Sequence, residues 1–545
     1  MKPKPIVCGL AFASLFFAIL LPPEAFPDGK MAVLLCATFA FFIQVSERRV
    51  DRRYLTGGLI VFAILVFHSL ILSVDSYRSI EFTTTVWTYY CLAGFFLYAG
   101  FDPVMPLSIS MVALAIIVSA YGLYQYFWGF QQLTRLIAYS GSNEIVKVPL
   151  LDRVATHRVF STLALPGTLW GFLVMAIPFH AALWQRKPVV KALVVVSMVM
   201  LLATGFLTRS FGFLLGLLVM TLLWLFLYHR RVLWNRISVV MAVLGVVGAV
   251  FYSARRGVIE GSNPVVLRFA NWISAWSIFS MHPLGTGLNT YGVMYPRYML
   301  SGANETQYTH NTLLQLLSEL GYFGIAFAVL AILYVAKKWS EGARLRVAGR
   351  ECVLIALGVW CIHNLVDIDV YFASVGTVGA VLIGVLLRKP EGSPLPPATR
   401  QVAVVGIAAL AAVVFSGLVL FSTELQNRAQ GEYDDLKPLV AIETLRKARA
   451  IMPFDSSLYH DSGQIELELS QKLHEPKFLT AATESFRRAI ELSPDKVGPH
   501  LGLGLCLSST HDYVGGLKEV RVAQQLYPDN TYTQAVVRLM ERNIR

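Results

Sequence analysis

The segment 267–324 decides both the fold class and the function class of this chain. It reads LRFANWISAWSIFSMHPLGTGLNTYG over residues 267–292 and, after a polar insert, YTHNTLLQLLSELGYFG over residues 308–324. Arginine, histidine, asparagine and glutamate stand here between long apolar runs, where a charged group is costly and usually functional. The segment therefore predicts a functional site at the boundary of a membrane.

The composition predicts a membrane protein. Hydrophobic residues make up 55% of the 545 residues and charged residues only 15%, whereas soluble domains carry about 25% charged residues. The apolar residues form runs of about 20, the length that crosses a bilayer as a helix. We expect an all-α, polytopic membrane helical bundle of about 12–13 transmembrane helices. The expected spans are roughly 5–22, 31–46, 55–73, 84–101, 106–126, 166–185, 188–206, 211–228, 237–252, 313–335, 351–366, 372–388 and 401–421.

Basic residues predict the orientation of these spans. They cluster in every second connection, for example between the second and third spans and after the tenth. Because cytoplasmic loops are enriched in lysine and arginine, we expect a cytoplasmic N-terminus. The large loop at about 253–312 and the tail from 425 to 545 would then both be periplasmic. The net charge of +12 follows mostly from this topology and does not indicate nucleic acid, which would need a basic face on a soluble domain.

The tail 425–545 changes composition and repeats itself. Three alanines each stand five residues before a proline and three residues after a large apolar residue; the alanines are Ala448, Ala489 and Ala523, and the prolines are Pro453, Pro494 and Pro528. The last two prolines are 34 residues apart, which is the tetratricopeptide period. The tail resembles a soluble tetratricopeptide (TPR) α-solenoid, in which proline ends each second helix and Asp455, Asp495 and Asp529 cap the next. The alternative is an unrelated array of helical hairpins.

Three motifs in the opening segment carry a second resemblance. Arg268-x-x-x-Trp272 is followed by a His282-Pro-Leu-Gly-x-Gly turn and then by His310-Asn311 with a Glu-x-Gly downstream. Their order and spacing resemble the signature of the O-antigen ligase and polymerase family of membrane glycosyltransferases. Any one of these motifs alone would be a weak signal.

The resemblance covers about residues 150–390 and implies a GT-C-like, multi-pass glycosyltransferase domain over residues 1–424. It implies transfer of a glycan from an undecaprenyl (polyprenyl) diphosphate carrier to a hydroxyl acceptor. The reaction would take place at the periplasmic face of the bacterial inner membrane.

The catalytic residues that the resemblance implies are Arg268, His310 and Arg209. Departure of a diphosphate from sugar C1 needs fixed cations, and the attacking hydroxyl is helped by a base. Arg268 would clamp the diphosphate because its planar guanidinium pairs phosphate oxygens. His310 would accept a proton or, as imidazolium, hold a phosphate. Arg209 lies between the seventh and eighth spans, where Phe211 occupies the position at which the family usually has arginine.

The remaining candidates would bind substrate; they are Arg158, Arg297, Trp272, Asn311, His282 and Asp367. Each has a structural alternative: Trp272 suits an interfacial anchor, Asn311 a helix cap, and His282 a turn rich in Gly and Pro. Glu319, nine residues after His310, is expected to stabilise a helix contact rather than to act as a base.

A His-x-x-x-Asp-x-Asp stretch near the end of the core is the last candidate. His363 and Asp367 are four residues apart, which predicts a shared helix face, and Asp369 follows them. The acidic residues would orient an acceptor, pair with an arginine, or form a purely structural ion pair.

Two other classes compete with a glycosyltransferase. A non-catalytic membrane scaffold for polysaccharide assembly would use the repeats alone and would not need the Arg–His constellation. A transporter would place its charges at the bilayer midplane, whereas here they cluster at one boundary. Within the enzyme class the sequence leaves open an O-antigen ligase, a repeat-unit polymerase and a protein O-oligosaccharyltransferase.

The chain contains no Gly-rich nucleotide loop and no cytoplasmic Asp-x-Asp signature, so we expect no cofactor and no metal. The expected partners are an undecaprenyl-diphosphate-linked glycan and the lipid bilayer. The acceptor is a lipid A core, a growing glycan or a protein, and the TPR-like tail would bind a protein partner. No nucleic acid is expected.

Overall fold

The computed structural model describes residues 5–139, 153–184, 186–210, 212–228, 264–342, 349–388 and 396–544. Within these ranges the chain forms helices and turns and no β-strand. The helices that precede the tail are α1 (Pro5–Leu20), α2 (Pro27–Ser46), α3 (Arg52–Ile71), α4 (Ser76–Leu97), α5 (Val104–Tyr124), α6 (Phe130–Tyr139), α7 (Pro166–Leu183), α8 (Pro188–Leu207), α9 (Gly212–Tyr228), α10 (Pro264–Met281), α11 (Tyr291–Tyr298), α12 (Thr312–Leu320), α13 (Tyr322–Gly342), α14 (Arg350–His363), α15 (Ala373–Leu386) and α16 (Thr399–Asp434).

Six of the described helices are long and apolar enough to cross a membrane: α2, α3, α5 with its continuation to Arg135, α7, α8 and α16. Shorter apolar helices lie at Pro5–Leu20, Tyr322–Ala331 and Ala373–Leu386. The chain is therefore built as a multi-pass membrane bundle. Twelve of the thirteen expected spans overlap described helices, and the expected span at 237–252 lies outside the described residues.

α7 lies at the centre of the bundle, whereas α3 and α8 lie at its edge. In α7 83% of the apolar window is buried inside the protein, compared with 17% in α3 and 28% in α8. Trp170 of α7 packs on Phe213 at 4.5 Å between ring centroids. Because α7 is enclosed, its first turn can form a wall of a site at that end of the bundle.

The expected span 313–335 is two helices rather than one. Gly321 separates α12 from α13 with a backbone φ of +58°, a left-handed conformation that glycine adopts easily. A Cβ at Gly321 would lie 2.1 Å from the Pro283 carbonyl oxygen. The break therefore makes room for the turn that contains His282.

The tail continues with α17 (Pro438–Ile451), α18 (Ser456–Leu473), α19 (Pro476–Leu492), α20 (Val497–Ser509), α21 (Tyr513–Leu526) and α22 (Thr531–Ile544). Successive helices pack against one another, and the three repeated alanines are fully buried. α17, α19 and α21 end just before the three prolines, as the repeat pattern predicts.

The capping prediction holds only once. Asp455 caps α18 by accepting from Ser457 N at 2.9 Å, whereas Lys496 precedes α20 and Asn530 accepts from Thr533 N at the start of α22. The tetratricopeptide assignment itself stays a prediction.

The tail packs on the loops at one end of the membrane bundle. Lys496 Nζ lies 2.8 Å from Asp75 Oδ2, and Tyr527 OH donates to Glu305 Oε1 at 2.7 Å. Both contacts join the end of a repeat helix to a loop of the membrane bundle. The repeats and the polar insert before His310 therefore lie at the same end of the molecule.

Candidate functional site

Three candidate residues meet at the turn that follows α14. Asp367 lies in this turn, and its Oδ1 is 3.4 Å from His310 Nδ1. Arg268 Nε donates to the Val366 carbonyl oxygen of the same turn at 3.2 Å. α10, the approach to α12 and the α14–α15 turn thus bring Arg268, His310 and Asp367 together, as the sequence motifs imply but cannot show.

The expected shared helix face of His363 and Asp367 is wrong. α14 ends at His363, so Asp367 lies beyond the last helical turn and pairs with His310 instead. His363 Nδ1 lies 2.8 Å from Asp369 Oδ2. Two histidine–carboxylate pairs therefore meet at this turn, His310–Asp367 and His363–Asp369. The first is open, since the His310 side chain is 29% exposed. The second is closed, since the His363 and Asp369 side chains are 2% and 0% exposed.

The charge of Asp367 is set by its neighbours. Burial acts to raise its pKa, but the hydrogen bond from His310 and the charges of His310, His363 and Arg268 outweigh burial. Together they hold the pKa of Asp367 well below its usual range, so this carboxylate is ionised at neutral pH. An ionised Asp367 accepts from Nδ1 and leaves His310 Nε2 as the nitrogen that can take up a proton.

Asn311, and not His310, caps α12. Asn311 Oδ1 accepts from Leu314 N at 3.1 Å, and its Nδ2 donates to the Leu365 carbonyl oxygen at 3.0 Å. This amide therefore ties the start of α12 to the α14–α15 turn. His310 precedes the cap with a φ of +54°, a conformation that is uncommon for a non-glycine residue and is often found at functional sites.

Two glycines of α7 accommodate the carboxylates. A Cβ at Gly167 would lie 2.5 Å from Asp367 Oδ2, and one at Gly171 would lie 2.8 Å from Asp369 Oδ1. Gly167 is in the first turn of α7, where the helix dipole favours a negative charge. Sequence reasoning missed this wall of the site, although the two glycines four residues apart at the start of a span were a visible signal.

Glu319 holds the scaffold of the site. Its oxygens accept from Asn289 N at 2.7 Å, Tyr291 N at 3.1 Å, Gln315 Nε2 at 3.0 Å and Tyr371 OH at 2.6 Å. Three of these bonds join α12 to the start of α11 and to the α14–α15 turn, whereas Gln315 lies on α12 itself. They support the structural interpretation of Glu319 rather than a role as base.

His282 lies in a turn, as its glycine-rich surroundings predict. Gly285 and Gly287 have φ values of +87° and +106°, and His282 Nε2 lies 3.2 Å from Tyr298 OH. Burial lowers the pKa of His282. The turn packs into the break between α12 and α13. It therefore contacts the C-terminal end of α12, whereas His310 precedes the N-terminal end.

Arg158 and Arg209 form a second basic group. Arg209 Nη1 donates to the Thr156 carbonyl oxygen at 2.9 Å, and Arg158 Nε donates to the Thr208 carbonyl oxygen at 3.4 Å. Each arginine is thus held by the segment that carries the other. Arg209 adopts a φ of +47°, so two of the three expected catalytic residues have left-handed backbones.

Arg297 lies on α11 and Trp272 on α10. Arg297 Nη1 is 3.7 Å from Asp495 Oδ1 of the tail, and its guanidinium lies over the Tyr298 ring. Trp272 is half-buried on α10 and packs edge-on against Phe269. The structure therefore places Arg297 between the insert and the repeats, whereas Trp272 follows Arg268 along one helix.

Among the described residues, no three His, Cys, Asp or Glu side chains are grouped so that they could hold a metal ion. The fixed positive charges that the described part of the site offers are the arginines.

Residues 193–329 match the family model described as O-antigen ligase. The chain carries an O-antigen ligase domain. The match includes Arg209, Arg268 and His310, whereas Arg158 and Asp367 lie outside it. It supports glycosyl transfer of the O-antigen ligase or polymerase type in a multi-pass membrane protein. No curated protein matches the chain.

Proposed function

We propose that this protein transfers a glycan from a polyprenyl diphosphate carrier to a hydroxyl acceptor, in the manner of an O-antigen ligase and without a metal. The observation that carries the proposal is the meeting of Arg268, His310 and Asp367 at one turn. The O-antigen ligase match over residues 193–329 supports the same class.

The geometry suits one reaction step. The acceptor oxygen attacks sugar C1 while the bond from C1 to the diphosphate oxygen breaks, and its electron pair leaves with the diphosphate. The acceptor proton passes to His310 Nε2, since Nδ1 is oriented by Asp367. Arg268 would stabilise the charge that develops on the leaving diphosphate.

The other candidates take supporting roles in this proposal. Arg209 and Arg158 would provide a second cationic site for the phosphates, next to the first residues of α9. Trp272 and His282 would contact the glycan, Asn311 would fix the turn that holds His310, and Arg297 would face the acceptor.

We also propose that the reaction lies at the periplasmic face of the bacterial inner membrane and that the tail is a periplasmic TPR domain. The contact between Tyr527 and Glu305 supports a shared side for the tail and the insert. A repeat domain beside the site fits a bulky acceptor or a protein partner.

The decisive experiment is transfer by the purified protein in lipid nanodiscs. Polyprenyl-diphosphate-linked glycan would be offered with one acceptor at a time: a lipid A core, a free glycan of the same repeat, or a peptide rich in Ser and Thr. Product with the lipid A core supports the ligase. Product with only the second or third acceptor supports the polymerase or the protein O-oligosaccharyltransferase. No product with any acceptor, from folded protein that binds the carrier, would favour the scaffold.

A further inference from the structure

The second histidine–carboxylate pair is sealed from solvent. His363 Nδ1 and Asp369 Oδ2 are 2.8 Å apart, and neither side chain reaches the surface. A buried carboxylate is stable only when a partner compensates its charge. The pair therefore cannot touch a glycan or a lipid, and its role must be exerted through other residues.

Space for the pair is made by glycines of two neighbouring helices. A Cβ at Gly212 would lie 2.6 Å from His363 Nε2, and one at Gly171 would lie 2.8 Å from Asp369 Oδ1. These two polar atoms have no hydrogen-bond partner in the described part of the chain. α7 and α9 thus enclose the pair closely but leave its outer atoms unbonded, which is an unusual cost for a buried ion pair.

A short backbone segment connects this pair to the open pair. Asp367 N donates to the His363 carbonyl oxygen at 2.8 Å, and the Asp367 carboxylate is influenced by the charge of His363. Asp367 in turn accepts from His310. A change of charge at His363 or Asp369 should therefore alter the electrostatic environment of His310 through the Asp367 carboxylate.

We propose that the His363–Asp369 pair is a positioning device that sets the charge behind Asp367 and thereby tunes the proton affinity of His310. This inference rests on the proposed function only for its catalytic consequence. Among the described residues, Arg268 of α10 is the charged group that faces the two pairs from outside them. α7 and α9 contribute Gly171 and Gly212, which do not titrate.

The physical basis is simple electrostatics. Asp367 and Asp369 are two carboxylates in one buried turn, and Arg268 can compensate only one of them. If His363 is protonated, it compensates the charge of Asp369. The charge of Asp367 then acts mainly on His310. While the remaining partner keeps its charge, removing the positive charge of His363 stabilises imidazolium at His310, and removing the negative charge of Asp369 destabilises it, each by on the order of one pH unit.

The test is the pH dependence of the modification of His310 by diethyl pyrocarbonate, which acylates imidazole only in its neutral form. It would be followed peptide by peptide in the purified full-length protein, so it needs no transfer activity. His363→Gln should raise the midpoint of the His310 curve by about one pH unit, and Asp369→Asn should lower it by a similar amount. The double variant, which removes one charge of each sign, should return the midpoint close to that of the wild type. His282 in the same samples is the internal control, and its midpoint should not move.

Shifts of opposite sign that cancel in the double variant support the proposal. Midpoints that stay in place, or that move in the same direction in both single variants, would overturn it, because the pair would then act only through packing. Asp369→Asn keeps the size of the side chain. If His363→Gln does not fold, the direction of the His310 midpoint shift in Asp369→Asn decides the test alone. Where transfer is measurable, the acidic limb of kcat/KM should move with the modification curve. Absence of transfer, with the opposite shifts present, would count against the proposed function and not against this pair.

Discussion

Several charged side chains around the candidate site are buried and have more than one partner, whereas those of the repeat half are mostly exposed and pair along single helices. Glu319 is completely buried and accepts four hydrogen bonds, whereas Arg446 pairs with Glu443 one turn away while its side chain is 70% exposed. Loss of a buried partner leaves an uncompensated polar group, which is costly. Loss of one exposed partner costs little because water replaces it. The same residue types should therefore respond very differently to substitution in the two halves.

The largest effect is expected at Arg268. Arg268→Ala should lower kcat by about 10²–10³-fold, because one cationic donor to the leaving group is lost. Arg268→Lys should recover only part of this, since a point charge lacks the planar fork. Transfer by purified protein is the measurement, and Arg135→Ala, an exposed arginine on α6, is the matched control. Normal turnover of the Ala variant would remove Arg268 from the site.

His310 should show the next largest effect, with a pattern that identifies its role. As a general base, His310→Ala would lower turnover by about 10²–10⁴-fold and would flatten the acidic limb of the pH–rate profile. As a phosphate ligand, it would be replaced with good retention of activity by Arg or Lys. Wild-type turnover in a folded His310→Ala protein would leave the residue a purely structural role.

A substitution at Glu319 tests whether this residue stabilises the fold or takes part in the reaction. Glu319→Gln replaces one accepting oxygen with a donor, so one or two of four buried hydrogen bonds are lost at about 1–3 kcal/mol each. We expect a lower melting temperature in detergent together with a partial loss of transfer. Glu484→Gln, at an exposed carboxylate of α19, should change neither. Loss of turnover without loss of stability in the Glu319 variant would instead indicate a direct role in the reaction.

The buried carboxyl group of Glu24 should make the stability of the membrane bundle depend on pH. It accepts from Ser374 N at 2.8 Å at the start of α15, and burial raises its pKa to about 7. Because the folded state binds this proton more tightly than the unfolded state, its stabilisation is complete below about pH 4.5 and is lost as pH rises through about 7. The shift corresponds to at most about 3 kcal/mol. Thermal unfolding in detergent from pH 5 to 8 should show this decline, and Glu24→Gln should remove it; an equal decline in the variant would exclude Glu24 as the cause.

The smallest effects are expected in the tail, and they should differ between two basic residues. Lys496→Ala removes one partner of the buried Asp75 carboxylate, the partner that comes from the tail, so docking of the repeats should weaken by about 1–3 kcal/mol. Hydrogen exchange at residues 72–79 and 493–500 should accelerate, and transfer should fall a few-fold. Arg446→Ala, at an exposed pair on α17, should leave both unchanged. Equal behaviour of the two variants would show that the contact at Asp75 does not fix the tail.

Local patterns predicted the helices and individual motifs well, because both depend on residues close in the chain. Apolar run length located most of the described spans, although the expected span 313–335 is divided at Gly321 and α16 runs on to Asp434. The repeated alanines marked the buried contacts of the tail. The meeting of Arg268 with Asp367 could not be read from the sequence, since it depends on how three distant helices pack. Spacing also misled: His363 and Asp367 fit one helix face, but the helix ends between them, and each histidine pairs with a different aspartate.

α16 runs without a break from Thr399 to Asp434 and so connects the membrane bundle rigidly to the repeats. At about 1.5 Å per residue it is about 54 Å long, and only its first part is apolar enough for lipid. Every residue of a helix also turns the next by about 100°. Deletion of one residue after Phe421 would swing the repeats around this axis and carry Lys496 away from Asp75, whereas deletion of seven would nearly restore their facing while lowering them by about 10 Å. The rotational phase of α16 therefore determines which side of the repeats faces the site.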